Sequence, residues 1–124
     1  MEAPATASWD LRISEGDLEK LTAGFEAWDM NQRWEIAARD PDDNGIVSIH
    51  IRRSWTEEDQ YILGVEPSDG GGAKITSITW EQAKGEIRVG EERGKEEAVV
   101  VCRMVLGCDF DALPLYDVKI LWAP

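Results

Sequence analysis

His50 is the only histidine of the chain, and so the only side chain whose ordinary pKa lies near neutrality. A histidine acts as a base when a carboxylate orients its ring and a nucleophile or substrate proton lies within hydrogen-bond reach. In the strand pairing derived below, His50 stands across from Arg39, with Arg52 and Glu35 on the same sheet face and Glu35 further along the ladder. His50 and Glu35 are therefore the acid–base pair to expect if the protein is an enzyme. Neither Ser48 nor Ser54 sits in a nucleophile signature. Arg39 and Arg52, joined by Arg53, would form a local basic spot suited to a carboxylate or phosphate. A solvated face of mixed charge accounts for the same residues, its exposed ion pairs contributing about 0.2–1 kcal/mol each.

Six tryptophans are many for 124 residues. Trp34, Trp55, Trp80 and Trp122 fall on the apolar faces of alternating segments, where core packing explains them. The functional alternative is a concave, ligand-binding surface lined by Trp34, Trp55 and Trp80 beside Arg39 and Arg52. Trp9 lies outside any periodic segment and is the tryptophan to expect at an exposed contact.

These residues are positioned by a hairpin. Trp34, Ile36 and Ala38 alternate with charged and small residues, and Val47, Ile49 and Ile51 alternate with Ser48, His50 and Arg52. Period two is the pattern of strands with one face in the core. Between the segments lies Asp40-Pro41-Asp42-Asp43-Asn44-Gly45, and Asn-Gly is a strong signal for a tight turn with φ > 0 at both central residues. Taking Asn44-Gly45 as the loop sets Ala38 opposite Ile51 and Trp34 opposite Trp55, with both indoles on the apolar face.

Asp40, Asp42, Asn44, Gly45, Val47 and Ser48 resemble an EF-hand calcium loop. The resemblance implies a site of six to eight oxygens, closed by a bidentate glutamate at the last position. Here that position is Ile51, and the flanks read as strands rather than helices. Asp, Asn and Gly are equally what a turn requires, so a plain turn with no metal and no cofactor is expected, and a calcium-binding turn is the third function to weigh.

Around the hairpin the chain reads in order. Residues 1–13 are expected to be a loose N-terminal segment, and residues 14–124 a single domain. Ser14 with Asp17 three residues on marks a helix start, with Leu18 and Leu21 on one face of a helix over 15–24. Tyr61 to Val65, Lys74 to Trp80 and a short piece near Ile87 read as strands. The glycine run at Gly70-Gly71-Gly72 lacks the lysine and the strand–turn–helix context of a phosphate loop. A second helix spans 91–106, with Glu91 and Lys95 in an i,i+4 pair and Gly107 at its end. Tyr116, Val118, Ile120 and Trp122 then alternate as a last strand. The fold class is α+β: an antiparallel sheet of four to six strands built on a central hairpin, with an N-terminal helix and a second helix before the last strand.

Composition limits the partners. Twenty-five acidic residues against 13 basic ones give a net charge of −12, which repels nucleic acid and anionic membrane. It leaves open a basic partner or mimicry of nucleic-acid charge. Cys102 and Cys108 match no zinc spacing and are expected to be buried free thiols. With no signal-peptide pattern over residues 1–14 and no stretch of roughly 20 apolar residues, an intracellular, cytoplasmic protein is expected. The function to expect first is a binding module acting on a protein partner or small molecule through a sheet face or edge strand, with a homodimer as one form of that contact. The alternative is a small enzyme or ligand-binding protein whose tryptophan-lined pocket, between sheet and helix, uses His50, Glu35 and the nearby arginines.

Overall fold

The computed structural model describes residues 2–26, 33–54, 58–84 and 87–121. Its main element is a five-stranded antiparallel sheet of β1 (Pro4–Ile13), β2 (Trp34–Ala38), β3 (Val47–Arg53), β4 (Asp59–Pro67) and β5 (Ala73–Glu81), in the order β1-β5-β4-β3-β2. Helices α1 (Glu15–Ala23) and α2 (Glu91–Leu106) supply the α part of this α+β fold. A small two-stranded pair, β6 (Ala83–Lys84) with β7 (Ile87–Arg88), leads into α2.

Alternation builds the core. Trp34, Ile36, Val47, Ile49, Ile51, Tyr61, Leu63 and Val65 are buried on one sheet face, while their strand neighbours, apart from Gly64, are more exposed. On β5, Ile75 and Ile78 share that face although three residues apart, because Thr76 is an extra residue against β4. Ala98, Val101 and Cys102 of α2, Leu21 of α1 and Phe110 complete the cluster. The approach of α2 is close: a Cβ on Gly94 would stand 2.9 Å from the Trp80 ring. Trp80 cannot yield easily, since its Nε1 donates to the Val89 carbonyl at 2.8 Å.

Two carboxylates anchor the ends. Asp17 is buried, and its two oxygens accept the backbone N–H groups of Asp109 and Phe110, each at 2.8 Å. Its own N–H donates to the Ser14 Oγ at 3.1 Å, so the expected helix cap is present. Glu81 ends β5 and accepts N–H groups from Glu2, Ala3 and Ala83, at 2.5, 2.9 and 3.1 Å. Burial alone would raise its pKa, but these three backbone donors outweigh burial and lower it from 4.5.

Several expectations need correction. The hairpin forms one end of the sheet, not its centre. Its register is displaced by two residues: Trp34 pairs with Arg53 and Ala38 with Ile49. The cause is Asp42, whose Oδ1 accepts from Asn44 N at 2.8 Å and Ile46 N at 3.0 Å, while its own N–H donates to the Ile46 carbonyl at 3.0 Å. That closes a three-residue loop, with Gly45 at φ 80°, instead of a two-residue one. Asp40 and Pro41 then bulge before Arg39 donates to the Ser48 carbonyl. A displacement of two preserves the faces, so the core set survives. Trp55 and Trp122 lie outside the described residues.

The expected loose start is instead edge strand β1, paired with β5 from Pro4–Glu81 to Ile13–Ala73. Its inward residues Ala5 and Ala7 are small, which hid the alternation. The expected last strand is a 3₁₀ turn over Val118–Leu121, because Asp117 accepts from Lys119 N at 2.9 Å and from Ile120 N at 3.1 Å and so curls the chain locally.

Two outcomes test this packing. Gly94→Ala should gain about 1 kcal/mol of helix propensity yet lose more by overpacking against Trp80, for a net loss of about 1–2 kcal/mol in urea denaturation. A rise in stability would mean that α2 sits farther from the sheet. For Glu81, a lowered folded pKa means stability present above 4.5 and lost as pH falls through the folded value. Glu81→Gln should therefore lower the melting temperature at pH 7, and the gap from wild type should close on titration to pH 3.

Candidate functional site

The two sheet faces carry different chemistry. Both helices and the segment after α2 cover the apolar face, whereas no described helix lies over the other. On the uncovered face, cross-strand pairing sets Ala37, His50, Ile62, Thr79 and Thr6 in one row. Ser48, Gly64, Ser77 and Ser8 form the next. The Thr6 and Thr79 hydroxyls hydrogen-bond at 2.8 Å, and Lys74 pairs with Asp10 at 3.1 Å.

His50 has a carboxylate partner, and it is Asp59. The His50 Nδ1 lies 3.1 Å from Asp59 Oδ2, with side chains 15% and 28% exposed. An ionised carboxylate only accepts, so Nδ1 carries the proton and, in the neutral ring, Nε2 is left as an acceptor. Arg52 completes the cluster: its Nε faces Asp59 Oδ1 at 3.8 Å, both atoms sealed from solvent and just beyond hydrogen-bond reach. Glu35 is the cross-strand partner of Arg52 and not of His50. Arg39 pairs with Ser48 beyond the end of β2 and is exposed, so it stays apart from the cluster.

Asp59 was missed for a specific reason. Tyr61, Leu63 and Val65 face the core, so strict alternation along β4 would send Asp59 inward too. The structure has a register shift there: Ile51 pairs with Tyr61, but Arg52 pairs with Asp59. Gln60 is the extra residue, and it turns Asp59 to the open face.

The described tryptophans do not join this cluster. Trp34 is buried on the opposite face, its ring 6.0 Å from that of Tyr61 and capped by the Arg53 guanidinium at 4.7 Å. Trp80 is buried under Gly94. The space between sheet and α2 holds a polar network instead: Tyr61 donates to Glu97 Oε1 at 2.5 Å, and Arg93 Nε donates to Oε2 at 2.8 Å. Burial, followed by the charge of Glu97, pushes the Tyr61 phenol well above its usual pKa. Trp9 stands beside α2, with Lys95 Nζ 5.5 Å from its ring centre.

A hollow of about 400 Å³ lies along the outer edge of β2, open to solvent and lined by Thr22, Phe25, Glu26, Glu35 and Arg52 among others. Its upper rim is partly tied down by Phe25, which exchanges two backbone hydrogen bonds with Ile36. In the 40–48 segment the Asp42 carboxylate is occupied by turn N–H groups. Among the described residues, no three His, Cys, Asp or Glu side chains gather as a metal ion would need. Cys102 and Cys108 are free and buried; burial raises both thiols, Cys108 to about 12, which removes the thiolate needed for reactivity. No described helix is long and apolar enough to cross a membrane.

Compared with known proteins, the chain matches no family model, no curated protein and no solved structure.

The His50–Asp59 contact makes a spectroscopic prediction. Nitrogen-15 shifts of the imidazole at high pH should report the Nδ1–H form in wild type. Asp59→Ala should shift the ring toward the Nε2–H form that free histidine prefers. An unchanged tautomer would mean that Asp59 does not orient the ring.

Proposed function

We propose that the protein is a non-enzymatic interaction module that holds a protein partner on the uncovered face of its sheet, around His50, Asp59, Arg52 and Glu35. The observation that carries this reading is a face five strands wide over which no described helix lies. Strands about 4.8 Å apart and up to ten residues long span roughly 24 by 33 Å at most. That is close to the roughly 800 Å² that one partner contributes to a standard protein interface. Its inner rows carry small serines and threonines, which suit a broad contact better than the concave site of a small molecule. The open hollow beside Glu35 and Arg52 lies at the β2 edge. Hydrogen bonds and ion pairs already fix several of its side chains, which lowers the entropy cost of docking. The net charge of −12 favours a basic partner.

A second reading, a small enzyme with His50 as base, is favoured by the Asp59 contact at 3.1 Å. Against it, the row neighbours of His50 are Ala37 and Ile62, whose side chains carry no proton for a base to take.

Affinity capture with the full chain separates the two. A partner held by wild type and by a hairpin-tip control, Asp43→Arg, should be lost in Thr79→Arg and weakened about tenfold or more in His50→Ala, with circular dichroism confirming the fold. Undiminished capture by Thr79→Arg overturns the reading. A turnover that survives Thr79→Arg but not His50→Ala selects the enzyme.

A further inference from the structure

Among the described residues, the large apolar side chains most open to solvent are Met104, Leu115 and Val118, at 43%, 89% and 45% exposed. They are not scattered. All three line one groove of about 220 Å³, between α2 and the segment that follows it, with Val100, Arg103 and Tyr116. Solitary exposed apolar residues are ordinary, but a contiguous apolar patch marks a contact surface.

The groove has a rigid wall. The Arg103 guanidinium donates to four carbonyls of the segment: Asp109 at 3.2 Å, Pro114 at 2.8 Å, Phe110 at 3.1 Å and Leu113 at 3.3 Å. It also stands 5.7 Å from the Tyr116 ring centre. Leu115 is thus held out into solvent by a segment that is itself pinned. The charge of Arg103 is spent on these carbonyls.

The acids decide the occupant. By helical spacing Glu92, Glu96 and Arg103 lie on the stripe of α2 opposite Gly94, turned away from the sheet. Glu92 and Glu96 therefore continue the groove toward the start of the helix, and exposed Asp117 lies between Tyr116 and Val118 on the other wall. The Tyr116 phenol senses this setting: burial first, then Glu96, and also Glu92, raise its pKa, against the lowering effect of Arg103.

We propose that this groove docks a basic amphipathic segment of a partner protein, an apolar side chain seating on Met104, Leu115 and Val118 while its lysines or arginines face Glu92, Glu96 and Asp117. An apolar anchor gives the affinity, and charge complementarity gives orientation and on-rate. The surface is distinct from the uncovered sheet face, because α2 stands between them.

The test is a titration of the full, isotope-labelled chain with a synthetic helical peptide of leucines and lysines, followed by NMR. Two comparator peptides replace every lysine by glutamate or every leucine by glutamine. Saturable shifts should centre on the Val100, Met104, Leu115 and Val118 methyl groups. Both comparators, the Leu115→Ser variant and a Glu92→Gln/Glu96→Gln variant should bind about tenfold or more weakly. Because these side chains are exposed or half-exposed, the variants should fold, as circular dichroism will show. Equal binding by Leu115→Ser overturns the proposal, as do shifts centred on the sheet face. A dimer in sedimentation that Leu115→Ser dissolves would also overturn it, by giving the groove to a second copy of the chain.

Discussion

The constraint on which the architecture depends is a carboxylate inside the core. Glu97 is 2% exposed, and a buried charge of this kind is tolerable only when its partners are in place. Tyr61 from the sheet and Arg93 from the preceding helical turn supply them, and Arg93 Nη2 reaches on to the Ile120 carbonyl at 3.2 Å. One carboxyl group thereby fixes the rotation of α2, its height above β4 and the path of the segment beyond it. A nonpolar residue at this position would let α2 slide over a sheet of similar aliphatic side chains. The ion pair defines one seating.

That seating has consequences for both surfaces. With Glu97 turned to Tyr61, Gly94 must meet Trp80, and only a residue without a side chain fits between ring and helix. Glu92, Glu96 and Arg103 are then obliged to face outward. The apolar sheet face is consumed by this packing, and Asp17 closes its far end by tying α1 to the chain after α2. The remaining face of the sheet is left with small hydroxyl side chains and the His50–Asp59–Arg52 cluster.

Much of this was legible in the sequence, where local signals agreed with the tertiary fold. Helix α2 runs over the expected residues because its acidic start, its i,i+4 pair and the left-handed Gly107 all mark the same bounds. The hairpin and its buried face were legible from period two, but its register was not. Asn44-Gly45 promised a two-residue turn, but the Asp42 side chain imposed a longer one by accepting N–H groups from Asn44 and Ile46. With three aspartates in the segment, turn propensity does not say which one will do so. Strand β1 escaped because its inward positions begin with Ala5 and Ala7, too small to announce a core face. The site was legible only in half. His50 and Arg52 were found by type and alternation, whereas Asp59 depends on one extra residue in β4. Glu35 was assigned to histidine, but the register gives it to Arg52.

Charge and shape divide the work of recognition in such a molecule. A net charge of −12 acts at distance, but at physiological ionic strength screening confines each charge to about 8 Å. Charges scattered over the hairpin tip and the helix starts would therefore steer the proposed basic partner and contribute little once it is seated. What would hold such a partner is short-ranged: apolar burial or hydrogen bonds already fixed in place. The described surface concentrates these in two places, the groove where α2 meets the chain that follows it and the hydroxyl-rich rows of the sheet. They lie on opposite sides of the core, so one rigid partner domain cannot cover both. Occupation of one leaves the other free, and any coupling between them would have to pass through α2 and the buried Glu97 that positions it.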